Sequence, residues 1–417
     1  MTELMAAWAA WMRPSAGLPT VQWSILLAVA AAAGHLLHRH AGVPKVVGYC
    51  IVGAIAGLGG FSSGAWPLEG IALFLLELAV SIVLFQAGGR IPLRWFRHNP
   101  MVLLQSLLES VLTAAAVYFA LRAFDVRPAV AQALGLVAVA SSPAVLGRVI
   151  ADTRASGPVT ERTMTLATLS TLYALTFANA RAGVMHREAE TLVSFLLPVG
   201  VVLGVSLGVA AVLALVLQVA LRFMSPTSEN TSMLVIALIA AATAVASHLG
   251  GSAPLAALLS GIVLKQFHPR PWAWPGQLDT ASSLLTMLMF VLVSVVAAKA
   301  PWSPAVAGWV AALVAARAIA KVAGVVAANW GSGTSWRQAA WTGIAMSPMS
   351  SVGLLLASQF AAASLTAGPW ITMIALPAIL LMEVLGALLC TVALHRVRET
   401  AAQHASEGSV PAGAVRD

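Results

Sequence analysis

The residues of this chain able to do chemistry are clustered hydroxyls and a few charges inside apolar runs. Ser141 and Ser142 stand directly before Pro143 in G-L-V-A-V-A-S-S-P-A-V-L-G-R-V-I-A-D, residues 135–152. Ser347 precedes Pro348, with Ser350 just beyond, in W-T-G-I-A-M-S-P-M-S-S-V-G-L-L-L-A, residues 341–357. Ser170 and Thr171 adjoin in a third stretch, T-L-A-T-L-S-T-L-Y-A-L-T-F-A-N-A, residues 165–180. Proline removes a backbone donor and clashes with the carbonyl four residues back, so Pro143 and Pro348 each break a helix and free main-chain oxygens. Hydroxyls and freed carbonyls together can coordinate a hard monovalent cation without a full negative charge. The candidate ion-binding set is therefore Ser141, Ser142, Ser170, Thr171, Ser347 and Ser350. The plain alternative for any one of these hydroxyls is a bond back to the carbonyl one turn earlier. The same holds for Thr165, Thr168, Thr176 and Asn179, which share one helical face.

Ionisable residues at membrane depth each need a reason, because an isolated charge there costs at least roughly 2.5–3.5 kcal/mol. Glu109 lies about eight residues, roughly 12 Å, into an apolar span. Arg317 and Lys321 are four residues apart in A-A-R-A-I-A-K-V-A-G and share a helix face. Glu109 and Lys321 are the proton-coupling candidates. Glu77 reads as structural, and Glu383 lies in the last apolar span. No metal-ligand cluster, phosphate loop or nucleophile with a base is present in the sequence. The expectation is neither an enzyme nor a metal or cofactor protein.

The elements that must position these groups are membrane helices. The chain has 417 residues, 59% hydrophobic and only 9% charged, with a mean hydropathy of +0.89. A soluble domain carries roughly a quarter charged residues. Apolar windows of spanning length number about thirteen. The net charge of +8 comes mostly from scattered arginines at segment ends, which argues for membrane topology and against nucleic acid. Cys50 and Cys390 sit inside apolar runs as small core residues. Residues 1–19 read as an interfacial N-terminal segment, 20–397 as one transmembrane domain, and 398–417 as a short disordered tail. The loops after odd-numbered segments hold most of the basic residues. That bias predicts an N-terminus outside and a C-terminus in the cytoplasm of a cell membrane, a bacterial inner membrane.

The chain repeats itself weakly. H-L-L-H-R-H-A-G-V-P-K-V-V-G-Y-C-I-V-G near its start is echoed by S-H-L-G-G-S-A-P-L-A-A-L-L-S-G-I-V-L past its middle. The two proline-broken spans are offset in the same way, by an odd number of segments. Copies offset so cross the membrane in opposite senses, which is the inverted-topology repeat of secondary transporters.

The motifs also resemble a known family. G-V-P-K-V-V-G-Y-C-I-V-G-A-I-A-G (42–57), L-E-L-A-V-S-I-V-L-F-Q-A-G (76–88) and the two Ser-Pro stretches are similar to the monovalent cation:proton antiporter family, in particular its second, Kef-type branch. The resemblance spans nearly all of residues 20–397. It implies an all-α membrane protein with two crossed, broken helices in a core domain. It also implies a separate panel domain that makes a homodimer, and alternating access by movement of the core. It places Glu383 in the panel and gives Lys321 the role of a basic group facing the broken helices. One departure is central. Family members carry an aspartate in the helix after the first broken one, and Ser170-Thr171 stands there instead. The expected function is exchange of a monovalent cation, K⁺ or Na⁺, for protons. The alternative is a carrier of the same fold for an anion or small organic solute, motivated by the missing aspartate and the Arg317/Lys321 pair.

Overall fold

The computed structural model describes residues 20–61, 66–91, 93–185, 192–225, 228–267, 276–349 and 351–400. The N-terminal segment 1–19, Ser350, and residues 401–417 of the expected tail lie outside the described residues. All regular structure among the described residues is helical. Seven helices are long and apolar enough to cross a membrane, and shorter apolar helices accompany them. Each apolar window of the sequence holds one helix or one broken pair.

In chain order the helices are α1 (Thr20–Ala41), α2 (Lys45–Leu58), α3 (Gly70–Gly88), the short α4 (Leu93–His98), α5 (Pro100–Ala123), α6 (Pro128–Val139), α7 (Pro143–Thr153) and α8 (Pro158–Gly183). There follow α9 (Leu192–Phe223), α10 (Glu229–His248), α11 (Ala253–Phe267), α12 (Gly276–Ala297), α13 (Pro304–Ala327), α14 (Trp336–Ala345), α15 (Ser351–Ala363) and α16 (Gly368–Arg396). Five of them, α5 to α8 and α13, begin on a proline. Its fixed φ suits the first helical turn, and the amide it lacks would be unpaired there anyway.

The helices pack as two groups. In one, α5 lies on α13, and the broken pairs α6/α7 and α14/α15 pack among α8 and α16. In the other, α3 packs on α11, α2 on α12 and on α1, and α9 on α11. The first group is the core bundle and the second the panel. The pairing is symmetric in the way an inverted repeat requires. Gly135 of α6 sits against the backbone of Ala114 in α5, and its counterpart Gly343 of α14 sits against Val322 in α13. A side chain at either glycine would push a half-helix off its supporting helix. The outer faces are apolar and exposed, as on α9, where Leu197, Val212 and Phe223 point outward. Such a surface suits lipid.

Two expectations change here. Helix α16 packs in the core bundle, so Glu383 faces the panel from the core side rather than belonging to the panel. Residues 398–400, which their composition assigns to a disordered tail, are packed against the start of α8. The Glu399 carboxylate accepts from the backbone N–H of Val159 (2.9 Å) and of Thr160 (2.7 Å) and from the Thr160 hydroxyl (2.7 Å).

Candidate functional site

Both proline stretches are broken, and they meet. Residues 140–142 are non-helical between α6 and α7, as are 347–349 between α14 and α15. Ser142 caps α7, its side-chain oxygen accepting from the Val145 N–H. The two breaks are joined directly. The Ser142 N–H donates to the Pro348 carbonyl at 3.0 Å, and the Ser141 hydroxyl donates to the Met346 carbonyl at 3.1 Å.

Two cations from α13 hold this crossing. Arg317, only 1% exposed, spreads its guanidinium over both breaks. Nε donates to Ala138 O (2.9 Å), Nη2 to Ala140 O (3.0 Å) and Pro348 O (3.3 Å), and Nη1 to Ser347 O (2.5 Å). One turn on, Lys321 donates to Val139 O at 3.1 Å and forms a buried ion pair with Glu109 of α5. The Ser110 hydroxyl adds a bond to the Glu109 carboxylate at 3.2 Å. Backbone contact is equally tight, for Gly324 of α13 packs on the Glu109 main chain with no room for a Cβ. The C-terminal ends of α6 and α14 each carry roughly half a negative charge. Together with Glu109 they balance the two cations.

The remaining hydroxyls complete the cluster. Thr171 Oγ1 donates to the Ser141 carbonyl (2.5 Å) and lies 2.8 Å from the Ala167 carbonyl. Ser170 donates to Ala167 O (3.1 Å), and Ser347 to Ile344 O (2.5 Å). Of the six predicted ion-binding residues, the structure thus brings Ser141, Ser142, Thr171 and Ser347 to one crossing; Ser170 stays on its own helix, its hydroxyl like that of Ser347 bonding one turn back, and Ser350 is outside the described residues. Thr165, Thr168, Thr176 and Asn179 follow the plain alternative and bond to carbonyls one turn earlier on α8.

One expectation is corrected. The carbonyls freed by the breaks are not left open for an ion. Those of residues 138–141 and 346–348 all accept from Arg317, Lys321, Thr171, Ser141 or the Ser142 amide. What stays available are the lone pairs of the Ser141, Ser170, Thr171 and Ser347 hydroxyl oxygens, whose hydrogens point at carbonyls. Arg317 is the residue at the crossing whose part the sequence understated. Its spacing from Lys321 gave the shared face, but not the reach of a planar fork across two breaks.

A cavity of about 290 Å³ opens beside the crossing, between core and panel. Pro143, Ala144, Gly147 and Arg148 of α7 line one wall, and Gln86 of α3 and Ser283 of α12 the other. Arg148 spans the cavity rim, donating to Ser283 (3.3 Å) and Tyr49 (3.4 Å). Asp152 ties the rim together, pairing with Lys45 of α2 (3.6 Å) and Arg148 (3.8 Å) and accepting from the Lys45 N–H (3.0 Å).

Comparison with known proteins agrees with this fold. Solved structures with the same fold include two of the sodium proton antiporter MjNhaP1 from Methanocaldococcus jannaschii. One, determined at pH 8, superimposes with a TM-score of 0.69 at 13% identity, covering 90% of this chain and 97% of that one. The other, an electron-microscopy map, gives 0.68 at 14% identity, covering 94% and 99%. No curated protein sequence matches the chain. The family model described as sodium/hydrogen exchanger, transmembrane, matches residues 25–394, nearly the whole membrane domain, and the chain belongs to that family.

Proposed function

We propose that this protein is a secondary active transporter that exchanges a monovalent cation, Na⁺ or K⁺, for protons by alternating access. The observation that carries the reading is the crossing of two broken helices, with a hydroxyl cluster at the breaks, in a chain of the exchanger family. In this reading a cation enters through the cavity beside Pro143 and is then bound by oxygen lone pairs of Ser141, Ser142, Ser170, Thr171 and Ser347. Glu109 and Lys321 are the core's proton-coupling candidates. Protonating Glu109, or deprotonating Lys321, changes the charge beside the end of α6 by one unit, so either step alters the field that an ion feels at the break.

The basic bias of the loops supports an N-terminus outside and the cavity facing the cytoplasm of a bacterial inner membrane. The exposed apolar panel helices fit lipid and a second copy in a homodimer. Residues 20–397 act as one transport domain, preceded by an interfacial segment.

A second reading is favoured by one arrangement. The N-termini of α7 and α15, each carrying about half a positive charge, meet at the crossing where Ser170-Thr171 replaces the family's aspartate. That field suits an anion or small organic solute. Against it, Arg317 and Lys321 already have their charge matched by carbonyls and Glu109.

The test is flux. In everted vesicles, Na⁺ or K⁺ should dissipate a preformed pH gradient, and Ser170→Ala/Thr171→Ala should abolish the response. Exchange unchanged in that variant removes the site assignment. Solute uptake indifferent to both cations establishes the second reading.

A further inference from the structure

Helix α16 carries a carboxyl that the crossing does not use. Glu383 is fully buried. Its neighbours fix its height. Gly386 packs on Pro348 at the second break, Ile379 lies by Gly353 near the start of α15, and Met382 touches Arg317 through its sulfur. Glu383 therefore stands level with the break, but it points out of the core, across the seam to the panel. There the Ser294 hydroxyl of α12 donates to Oε2 at 3.3 Å, and Cys50 of α2 lies beside the carboxyl. Oε1 has no hydrogen-bond partner among the described residues.

The groups around it offer no counter-charge. From α2 it faces Cys50, a buried free thiol, and from α12 it faces Ser294. On the core side Arg317 lies past Met382 and is occupied by four carbonyls. Among the described residues Glu383 has no ion pair. A fully buried carboxylate at membrane depth with no paired cation is costly enough that such groups are kept neutral. The neutral acid fits this seam. The ionised form requires that the seam open.

Location separates Glu383 from the Glu109–Lys321 pair. That pair lies between α5 and α13, inside the core. Glu383 lies where core and panel meet, the boundary that the alternating-access reading above sets in motion. We propose that Glu383 is a proton-binding site of the exchange cycle. It holds a proton while core and panel are docked as here. It releases that proton to water when the core's movement wets the seam. The carboxylate left behind supplies, from α16, the negative charge that Ser170-Thr171 does not supply from α8, and one monovalent cation replaces one proton. This rests on the exchange reading above and names the acid that serves it.

The experiment uses the full chain in proteoliposomes with an imposed pH gradient and Na⁺, K⁺ or no added cation. Wild-type protein should show cation-dependent proton movement. Glu383→Gln should lower it at least tenfold, and Glu383→Asp should restore part of it with a shifted pH profile. Glu383→Gln exchanging at the wild-type rate with the wild-type pH profile overturns the proposal and leaves the exchange reading standing. An inert wild-type protein removes the exchange reading itself, and the proposal with it. Should Glu383→Gln fail to fold, the readout passes to the wild-type protein. Modification of Glu383 by an apolar carbodiimide, mapped by mass spectrometry, should fall as Na⁺ or K⁺ is raised. Modification indifferent to both cations overturns the proposal.

Discussion

The ion pair between Glu109 and Lys321 predicts strong non-additivity. Both residues are fully buried in the contact between α5 and α13. Removing one partner leaves the other as an uncompensated buried charge, at a cost of about 3–5 kcal/mol. Lys321→Met leaves the Glu109 carboxylate with only the Ser110 hydroxyl at 3.2 Å and the Thr113 hydroxyl at 3.5 Å. It also strips Val139 O of the Lys321 bond. Glu109→Leu leaves the ammonium with that one carbonyl. Replacing both removes both charges. The loss then reduces to the Val139 carbonyl, about 1–3 kcal/mol, and apolar side chains of similar size fill the space. The coupling energy from the cycle should therefore be about 3 kcal/mol or more. The assay is reversible unfolding of the purified protein in mixed micelles, across wild type, Glu109→Leu, Lys321→Met and the double variant. Costs that simply add, within the ~0.5 kcal/mol seen for independent sites, would refute the claim that each charge needs the other.

Two other outcomes follow from groups that the crossing and the chain end depend on. Arg317→Lys keeps the charge but not the planar fork that reaches Ala138, Ala140, Ser347 and Pro348 at once, so exchange in proteoliposomes should fall at least tenfold; wild-type flux in that variant would show that charge alone holds the breaks. Glu399→Ala removes three hydrogen bonds from the first turn of α8, a loss of about 1–3 kcal/mol locally, so the amides of Val159 and Thr160 should exchange hydrogen faster while α5 stays protected; unchanged protection at 159 and 160 would refute the capping role.

How much of this was legible in the sequence depends on how local the cause is. The breaks were, because proline acts on its own helix and Pro143 and Pro348 sit in otherwise continuous apolar runs. The inverted repeat was, because a shared pattern of His-Leu, glycine and proline recurs at an odd offset. The meeting of Ser141, Thr171 and Ser347 followed from the crossing. The bridging reach of Arg317 was not legible, since helical spacing fixes a face and not which carbonyls lie opposite it. The cap by Glu399 was not legible either. A tail of small polar residues looks the same whether or not one glutamate finds a helix end some 240 positions away. Hydropathy likewise cannot say whether an apolar helix joins core or panel, which is why Glu383 was assigned to the wrong side of the seam.

The charges explain why that reassignment matters for mechanism. The C-terminal ends of α6 and α14 are matched by Arg317 and Lys321, with Glu109 taking up the surplus positive charge. That half of the crossing is electrostatically closed. The other half, where α7 and α15 begin, has positive helix ends, with the hydroxyls of Ser141, Ser142 and Thr171 nearby and no carboxylate bonded to them among the described residues. A cation cannot rest stably there unless a negative charge is supplied when it arrives and withdrawn when it leaves. A proton coming off and going back onto a nearby carboxyl does both, and it ties the two fluxes together. Among the described residues, Glu383 combines burial, the level of the second break and a place on the seam between core and panel. The absence of an aspartate on α8 therefore shifts the chemical requirement to another helix, rather than removing it.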